Sequence, residues 1–422
     1  MTYRKAIQYL ESFINYEKLA VYPYKESLKL GRIKGFLAAI GNPQDALRCI
    51  HVAGTKGKGS TCAFIAYILR EAGFKVGLYT SPHLSDFRER IRILSSQPSA
   101  LSLEHKEFEG MIKKKKLAEL VDKLKPAIDK YNKISEYGPL SFFEVYTALA
   151  FVYFKEQQAD FVVLETGLGG RLDATNTVNA LVSVITPISY EHTQKLGNTL
   201  REIATEKAGI VKKSSPITVI SAPQEKEARS VIYKRCKEVN AKLIEIKAPI
   251  KGIKLKLLGR HQQVNASVAA AAVKALKIGI SDATIRRGLQ NTVWPGRCEI
   301  ISKYPLVVLD GAQNVASCRA IKEAIKKNFK YKKLILVLGV SKDKDIKGIC
   351  SELYDLADEV ILTCADNPRA TEPETLAKYF KGKKTHITHS VKEARREARR
   401  ITKKKDLVLV TGSLFVVGEF KR

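Results

Sequence analysis

The residues best suited to chemistry lie in Gly54-Thr55-Lys56-Gly57-Lys58-Gly59-Ser60-Thr61. This stretch follows the apolar run Ile50-His51-Val52-Ala53 and precedes a helix-like segment from Cys62 to Glu71. A glycine loop between strand and helix lets backbone N–H groups face an anion, and the helix N-terminus adds its positive end. Lys58 then reaches the β- and γ-phosphates of a nucleotide, and Ser60 and Thr61 offer hydroxyls to phosphate or Mg2+. The spacing departs from the Walker A pattern, with Val52 where its first glycine would be and Gly59 directly after the lysine. A chance glycine-rich turn is the competing reading. Gly54, Gly57, Gly59 and Lys58 in that one context favour phosphate.

A second set begins at Glu165, which ends the run Phe161-Val162-Val163-Leu164 and leads into Thr166-Gly167-Leu168-Gly169-Gly170-Arg171-Leu172-Asp173-Ala174-Thr175-Asn176. A carboxylate at the carboxyl end of a parallel strand lies beside the nucleotide crevice of an α/β sheet, where it holds Mg2+ directly or through water. A lone glutamate there is ordinarily just solvated, but the glycine-rich sequel argues for a site. His192 follows another strand-like run, Leu181–Thr186, which places it near the same crevice. The segment Ile203–Ile210 reads as a short helix, and on its own Lys207 reads as an exposed lysine on it.

Elements that alternate must position these residues. Runs at Cys49–Ala53, Phe161–Glu165, Ala180–Thr186, Ile217–Ser221, Leu306–Asp310, Leu334–Leu338, Glu359–Thr363 and Leu407–Thr411 are apolar throughout and rich in β-branched residues, the mark of central parallel strands covered on both faces. Helix-like stretches between them imply βαβ units. The 422 residues exceed one ordinary domain. Trp294-Pro295-Gly296-Arg297 punctuates the chain. The expected organisation is therefore α/β: a large N-terminal, P-loop-type, doubly wound mononucleotide-binding domain over 1–295 and a smaller Rossmann-like α/β domain over 296–422. Residues 95–138 read as helices or an inserted loop.

Composition is that of a globular chain, with 45% hydrophobic and 27% charged residues. The formal net charge of +30 raises a nucleic-acid reading, but the lysines and arginines are scattered and no nucleic-acid-binding signature is present. The densest runs, Lys113–Lys116 and Lys403–Lys405, flank helix-like segments and read as solvated faces. The seven cysteines form no C-x-x-C pair, which excludes a disulfide framework or zinc site of that kind. No signal peptide or membrane-spanning run is visible, and a reducing cytoplasm fits.

Taken together, the chain closely resembles the folylpolyglutamate synthase/dihydrofolate synthase family within the wider Mur ligase superfamily. The segments quoted above carry the resemblance, with Tyr79-Thr80-Ser81-Pro82-His83-Leu84, Phe87-Arg88-Glu89-Arg90-Ile91-Arg92-Ile93, Glu206-Lys207-Ala208-Gly209-Ile210, Gly259-Arg260-His261-Gln262-Gln263-Val264-Asn265-Ala266, Pro295-Gly296-Arg297, Asp310-Gly311-Ala312-Gln313-Asn314 and Thr411-Gly412-Ser413, all in family order. The resemblance implies an ATP-dependent ligase. ATP phosphorylates a carboxylate on dihydropteroate or a tetrahydrofolate, and the amino group of L-glutamate displaces phosphate to form an amide. Such transfer rests on positioning and charge neutralisation.

The resemblance also implies roles. Thr55, Lys56, Gly57 and Lys58 cradle the phosphates, with Gly59 and Ser60 alongside. Ser81 and Glu165 hold one Mg2+ and His192 a second, while Lys207, carbamylated in relatives, becomes a carboxylate-like ligand. Lys58, Lys207 and His192 are thus the expected catalytic set. Asn265, Arg297 and Asp310 hold adenosine across the domain junction. The pterin pocket maps to Lys29, Leu30 and Gly31, to Ser141, Phe142, Phe143 and Glu144, and to Leu172, Asp173 and Ala174. Phe142 and Phe143 either stack on a pterin or fill core. The resemblance implies a monomer working on small molecules, without nucleic acid or membrane.

The chain departs from the family pattern at several positions. Lys56 replaces a usual Asn, Glu191 a usual Asp before the metal histidine, Gln313 a His, Val315 a Pro, and Lys29 an acidic residue. Gln313 can hydrogen-bond but cannot become charged. Two other readings compete: a peptidoglycan Mur-type ligase, opposed by the absence of an obvious UDP-binding domain before the phosphate loop, and a nucleic-acid-stimulated P-loop NTPase, suggested only by charge.

Overall fold

The computed structural model describes residues 1–19, 22–96, 108–213 and 217–422. The chain divides into two compact units, residues 1–83, 87–255 and 262–292 in the first and 84–86, 256–261 and 293–422 in the second.

The first unit is built on seven strands: β1 (Cys49–Ala53), β2 (Val76–Tyr79), β3 (Ile91–Leu94), β4 (Phe161–Glu165), β5 (Ala180–Ile185), β6 (Thr218–Ser221) and β7 (Lys242–Glu245). Their order is β3-β2-β4-β1-β5-β6-β7. All neighbours are parallel except β3, which runs antiparallel to β2. The central strands β1 and β4 are buried at every residue, as their unbroken apolar runs require. Register matters most for the site. Val52 stands beside Glu165 and Ala53 beside Ile185, so β1, β4 and β5 end together.

Helices Lys114–Ile134 and Phe142–Glu156 pack into the main core around Phe36, Tyr146, Phe151 and Phe154. Helix Phe142–Glu156 buries residues around most of its circumference, which suits a helix with so few polar positions. The stretch expected as helices or an inserted loop contains β-bridge Met111 and helix Lys114–Ile134, while 97–107 lies outside the described residues.

The second unit carries β8 (Glu299–Lys303), β9 (Leu306–Leu309), β10 (Leu334–Leu338), β11 (Glu359–Leu362), β12 (Lys384–Ile387) and β13 (Leu407–Thr411) in the order β12-β11-β10-β13-β9-β8. It is parallel apart from the β8–β9 hairpin. Both sheets are thus doubly wound α/β layers. Among the described residues, no helix is long and apolar enough to cross a membrane.

Candidate active site

The phosphate loop leaves β1 at Gly54 and enters helix Lys58–Glu71 through Gly57, whose φ of 82° is left-handed. A side chain at Gly57 would collide with the Asn265 amide, so only glycine serves both the turn and the close approach. Thr61 N–H already donates to Gly57 O at 2.9 Å, which leaves the earlier amides of the first turn as the helix's unsatisfied donors. Ser60 accepts from Gln262 Nε2 at 3.3 Å, and Gln262 Oε1 accepts from Asn265 Nδ2 at 3.0 Å. Gln262 was not among the sequence-derived candidates. It lies one helical turn before Asn265, the spacing that puts two side chains on one face.

Glu165 ends β4 and is 5% exposed. Tyr79 of β2 pairs with Leu164 of β4, so the chain beyond Tyr79 meets the residue beyond Leu164. There Ser81 N–H donates to Glu165 Oε2 at 3.1 Å. The expected metal residues Ser81 and Glu165 are therefore neighbours through sheet register. Thr166 N–H donates to Val52 O at 3.0 Å, fixing the start of the glycine-rich loop against β1.

Lys207 lies near the end of helix Leu200–Ala208, which opens with a Thr199/Glu202 capping box. The sequence-only reading of Lys207 as exposed is corrected here: it is 4% exposed, and its ammonium donates to Gly54 O at 2.8 Å. Burial, reinforced by nearby Lys58 and opposed by Glu191, lowers its amine to about 7.

The segment after β5 runs along the phosphate loop. Thr55 and Lys56 N–H groups donate to Pro187 O at 3.0 and 3.1 Å. The Thr55 hydroxyl donates to Ser189 O and accepts from Ser189 N, each at 3.2 Å. His192 follows with φ 54° and caps the short helix Thr193–Leu196. Lys56 Nζ lies 2.8 Å from Glu191 Oε2. Burial would raise the Glu191 carboxyl, but Lys56, then His192 and Lys58, outweigh it and hold it at about 2.

Among the described residues, no group of three or more His, Cys, Asp and Glu is placed to hold a metal ion. The Ser81 hydroxyl and Glu165 carboxylate are hard oxygen donors of the kind Mg2+ accepts together with phosphate oxygens, so their chemistry fits that ion.

The expected pterin residues divide by what their side chains already do. Phe142 is fully buried in the core, beside Tyr146 at 5.4 Å and Phe87 at 5.8 Å. A ring without exposure cannot stack on a ligand, so of its two readings the core one holds. Phe143 is partly buried and packs on Tyr79 at 5.9 Å and against Gly167, where a side chain would collide with its ring. The Glu144 carboxylate is committed to structure: it takes Arg32 Nε at 3.0 and 2.9 Å and Ser141 N–H at 2.7 Å. Lys29 precedes helix Leu30–Ala39 at its N-cap position without a side-chain cap bond, and Gly31 packs against Tyr137.

Asp173 is buried and accepts from Thr175 N at 3.0 Å, Thr175 Oγ1 at 2.5 Å and Leu168 N at 2.9 Å. Burial raises its carboxyl. It organises its own loop, with Leu172 partly buried and Ala174 buried on either side.

In the second unit, Asp310 accepts from Cys298 N at 2.8 Å and Ala312 N at 2.9 Å. Burial raises its carboxyl against the pull of Arg297. Arg297 donates to Gly296 O at 3.2 Å. Gln313 N–H donates to Ser317 Oγ at 3.1 Å at the start of helix Val315–Asn328.

Comparison with known proteins adds three findings. Residues 296–414 match the family model "Mur ligase, glutamate ligase domain". The dihydrofolate synthase/folylpolyglutamate synthase of Bacillus subtilis is 34% identical over 93% of this chain and 94% of its own. The Escherichia coli protein of the same description is 33% identical over 93% and 90%. Among solved structures, Mycobacterium tuberculosis folylpolyglutamate synthase complexed with ADP and AMPPCP superposes with TM-score 0.83 at 28% identity, covering 94% of this chain and 96% of that one. An Escherichia coli structure in complex with DHPP and ADP gives TM-score 0.80 at 30% identity, covering 100% and 97%.

Proposed function

The chain belongs to the folylpolyglutamate synthase/dihydrofolate synthase family of ATP-dependent ligases, and from that premise we propose that it joins L-glutamate to dihydropteroate, to (poly)glutamylated tetrahydrofolate, or to both. The substrate's carboxylate oxygen attacks the γ-phosphorus of ATP and ADP leaves, giving an acyl phosphate. The glutamate amino group then attacks the acyl carbon and phosphate departs with the C–O bond pair, while the amine loses a proton. No protein nucleophile is needed, so the chain's task is to hold the reactants in line and neutralise charge.

The observation that carries this reading is the common end of β1, β4 and β5. It puts the phosphate loop, Glu165 with Ser81, and the segment bearing His192 beyond the carboxyl end of the same central strands. In that arrangement Lys58 and the amides of the first helical turn bind the terminal phosphates. Glu165 and Ser81 would hold one Mg2+ and His192 another, and the ions supply charge neutralisation on the transferred phosphoryl group. Lys207 is buried with a lowered amine, which favours the neutral form that adds to CO2 with loss of a proton. The resulting carbamate would face the phosphate loop. Asn265, Arg297 and Asp310 are assigned to adenosine, and Lys29, Leu30, Gly31, Phe143, Leu172, Asp173 and Ala174 to the pterin side. The buried state of all the free cysteines but partly exposed Cys364 supports a reducing, cytoplasmic setting. A monomer completes the reading.

The test is product formation from ATP, glutamate and either dihydropteroate or tetrahydrofolate, read by mass spectrometry. Glutamyl adducts with stoichiometric ADP are expected. ATP hydrolysis indifferent to both acceptors but stimulated by nucleic acid, or activity confined to UDP-muramoyl substrates, would overturn it. Separate rates for the two acceptors decide whether Lys29 has removed one of the paired activities.

A further inference from the structure

The segment from Thr186 to Glu191 has no regular secondary structure, yet it leads to His192. It is fastened to the phosphate loop by the bonds from Thr55 and Lys56 to Pro187 O and the exchange between Thr55 and Ser189. All of these lie before Tyr190. His192 itself is left-handed at φ 54°, a conformation a non-glycine residue holds only when its surroundings impose it. One residue before His192, whose own carbonyl accepts from Lys195 N and Leu196 N at 2.9 Å, stands the ion pair between Glu191 and Lys56, 2.8 Å long with both side chains largely covered.

The two partners carry opposite charges, one on the phosphate loop and one on the residue before His192. Lys56, Lys58 and Lys207 otherwise gather three amines around one loop, and Glu191 is a negative group facing them. We propose that Lys56 and Glu191 act as one positioning unit, an ion pair that pins the segment before His192 and so sets where that imidazole stands against the phosphate loop. Lys58 remains the phosphate lysine, and Lys56 works through Glu191. The inference rests on the ligase reading for the purpose of His192, but not for the pair itself.

The experiment uses the full chain with Mn2+ as probe and AMPPCP as nucleotide. Mn2+ binding is read by electron paramagnetic resonance, beside the Mg2+ dependence of kcat and the KM for ATP. Lys56→Met and Glu191→Gln should each weaken Mn2+ binding about tenfold, and the double variant should be no worse than the weaker single one, because contacting residues that act together are non-additive. Effects that multiply in the double variant, or singles that lower only the thermal midpoint while Mn2+ affinity stays at wild type, overturn the proposal. Should a single variant fail to fold, Glu191→Asp with and without Lys56→Arg gives the same decision. The shorter carboxylate weakens binding and the longer guanidinium regains it, and absence of that rescue counts against the pair. Mn2+ and nucleotide binding require no pterin. Failure here therefore leaves the ligase reading intact, whereas a wild type that binds both but makes no glutamyl product overturns only that reading.

Discussion

The Lys207 ammonium donates to the carbonyl of Gly54, 2.8 Å away, and so ties the end of helix Leu200–Ala208 to the first residue of the phosphate loop. A lysine this deeply buried is costly unless its charge is removed or used. Carbamylation replaces the cation with an anion that a metal ion can use. A crystal grown with bicarbonate, Mg2+ and nucleotide should show density beyond Nζ, and bicarbonate depletion should lower turnover. A bare amine with two ions bound contradicts the assignment.

The same lysine gives stability a pH dependence. Its folded value, about 7, lies below the ordinary 10.5, so between those values the unfolded chain binds the extra proton. Stability should therefore rise with pH through that window, by at most about 1.4 kcal/mol per unit from this group. Urea unfolding of wild type and Lys207→Met in bicarbonate-free buffer checks this. The wild type should gain on the variant from pH 7 to 10, and parallel curves would refute it.

Arg32 and Glu144 form a buried ion pair with Nε to oxygen distances of 3.0 and 2.9 Å. Arg32→Met strands the carboxylate and should cost about 3–5 kcal/mol. Adding Glu144→Gln, which keeps an acceptor for Ser141 N–H without the charge, should recover much of that loss. Chemical denaturation of the two variants measures both.

Gly57 and Gly73 both have positive φ, 82° and 94°, but only Gly57 has a neighbour in the way. Gly73→Ala should cost about 1 kcal/mol and leave ADP affinity unchanged. Gly57→Ala should cost more and weaken ADP binding at least about tenfold, since the loop and Asn265 must separate. Calorimetric titration with ADP distinguishes the two.

Strands β1, β4, β10 and β13 were legible to the residue because central parallel strands are apolar throughout. The missed strands are mostly edges. In β8, Ile300 and Ile301 are exposed, and β7 and β12 begin with exposed lysines, so neither a continuous run nor clean alternation marks them. Buried β2 was hidden by Gly77, whose missing side chain makes room for Phe154. At the site, the phosphate loop and Glu165 could be read because local order places them. The burial of Lys207 and the Arg32–Glu144 pair could not, because each depends on chain segments far apart in sequence. Gln262 was passed over because its partner, Ser60, lies 202 residues away.

The most direct test of the account is the Mg2+ dependence of ADP formation in Glu165→Ala, compared with wild type under saturating ATP, glutamate and tetrahydrofolate, with circular dichroism to verify the fold. Turnover should fall to background while the spectrum stays native and Lys58→Ala behaves alike. A folded Glu165→Ala enzyme retaining full, Mg2+-dependent turnover would show that the metal and nucleotide are not held at the end of β4.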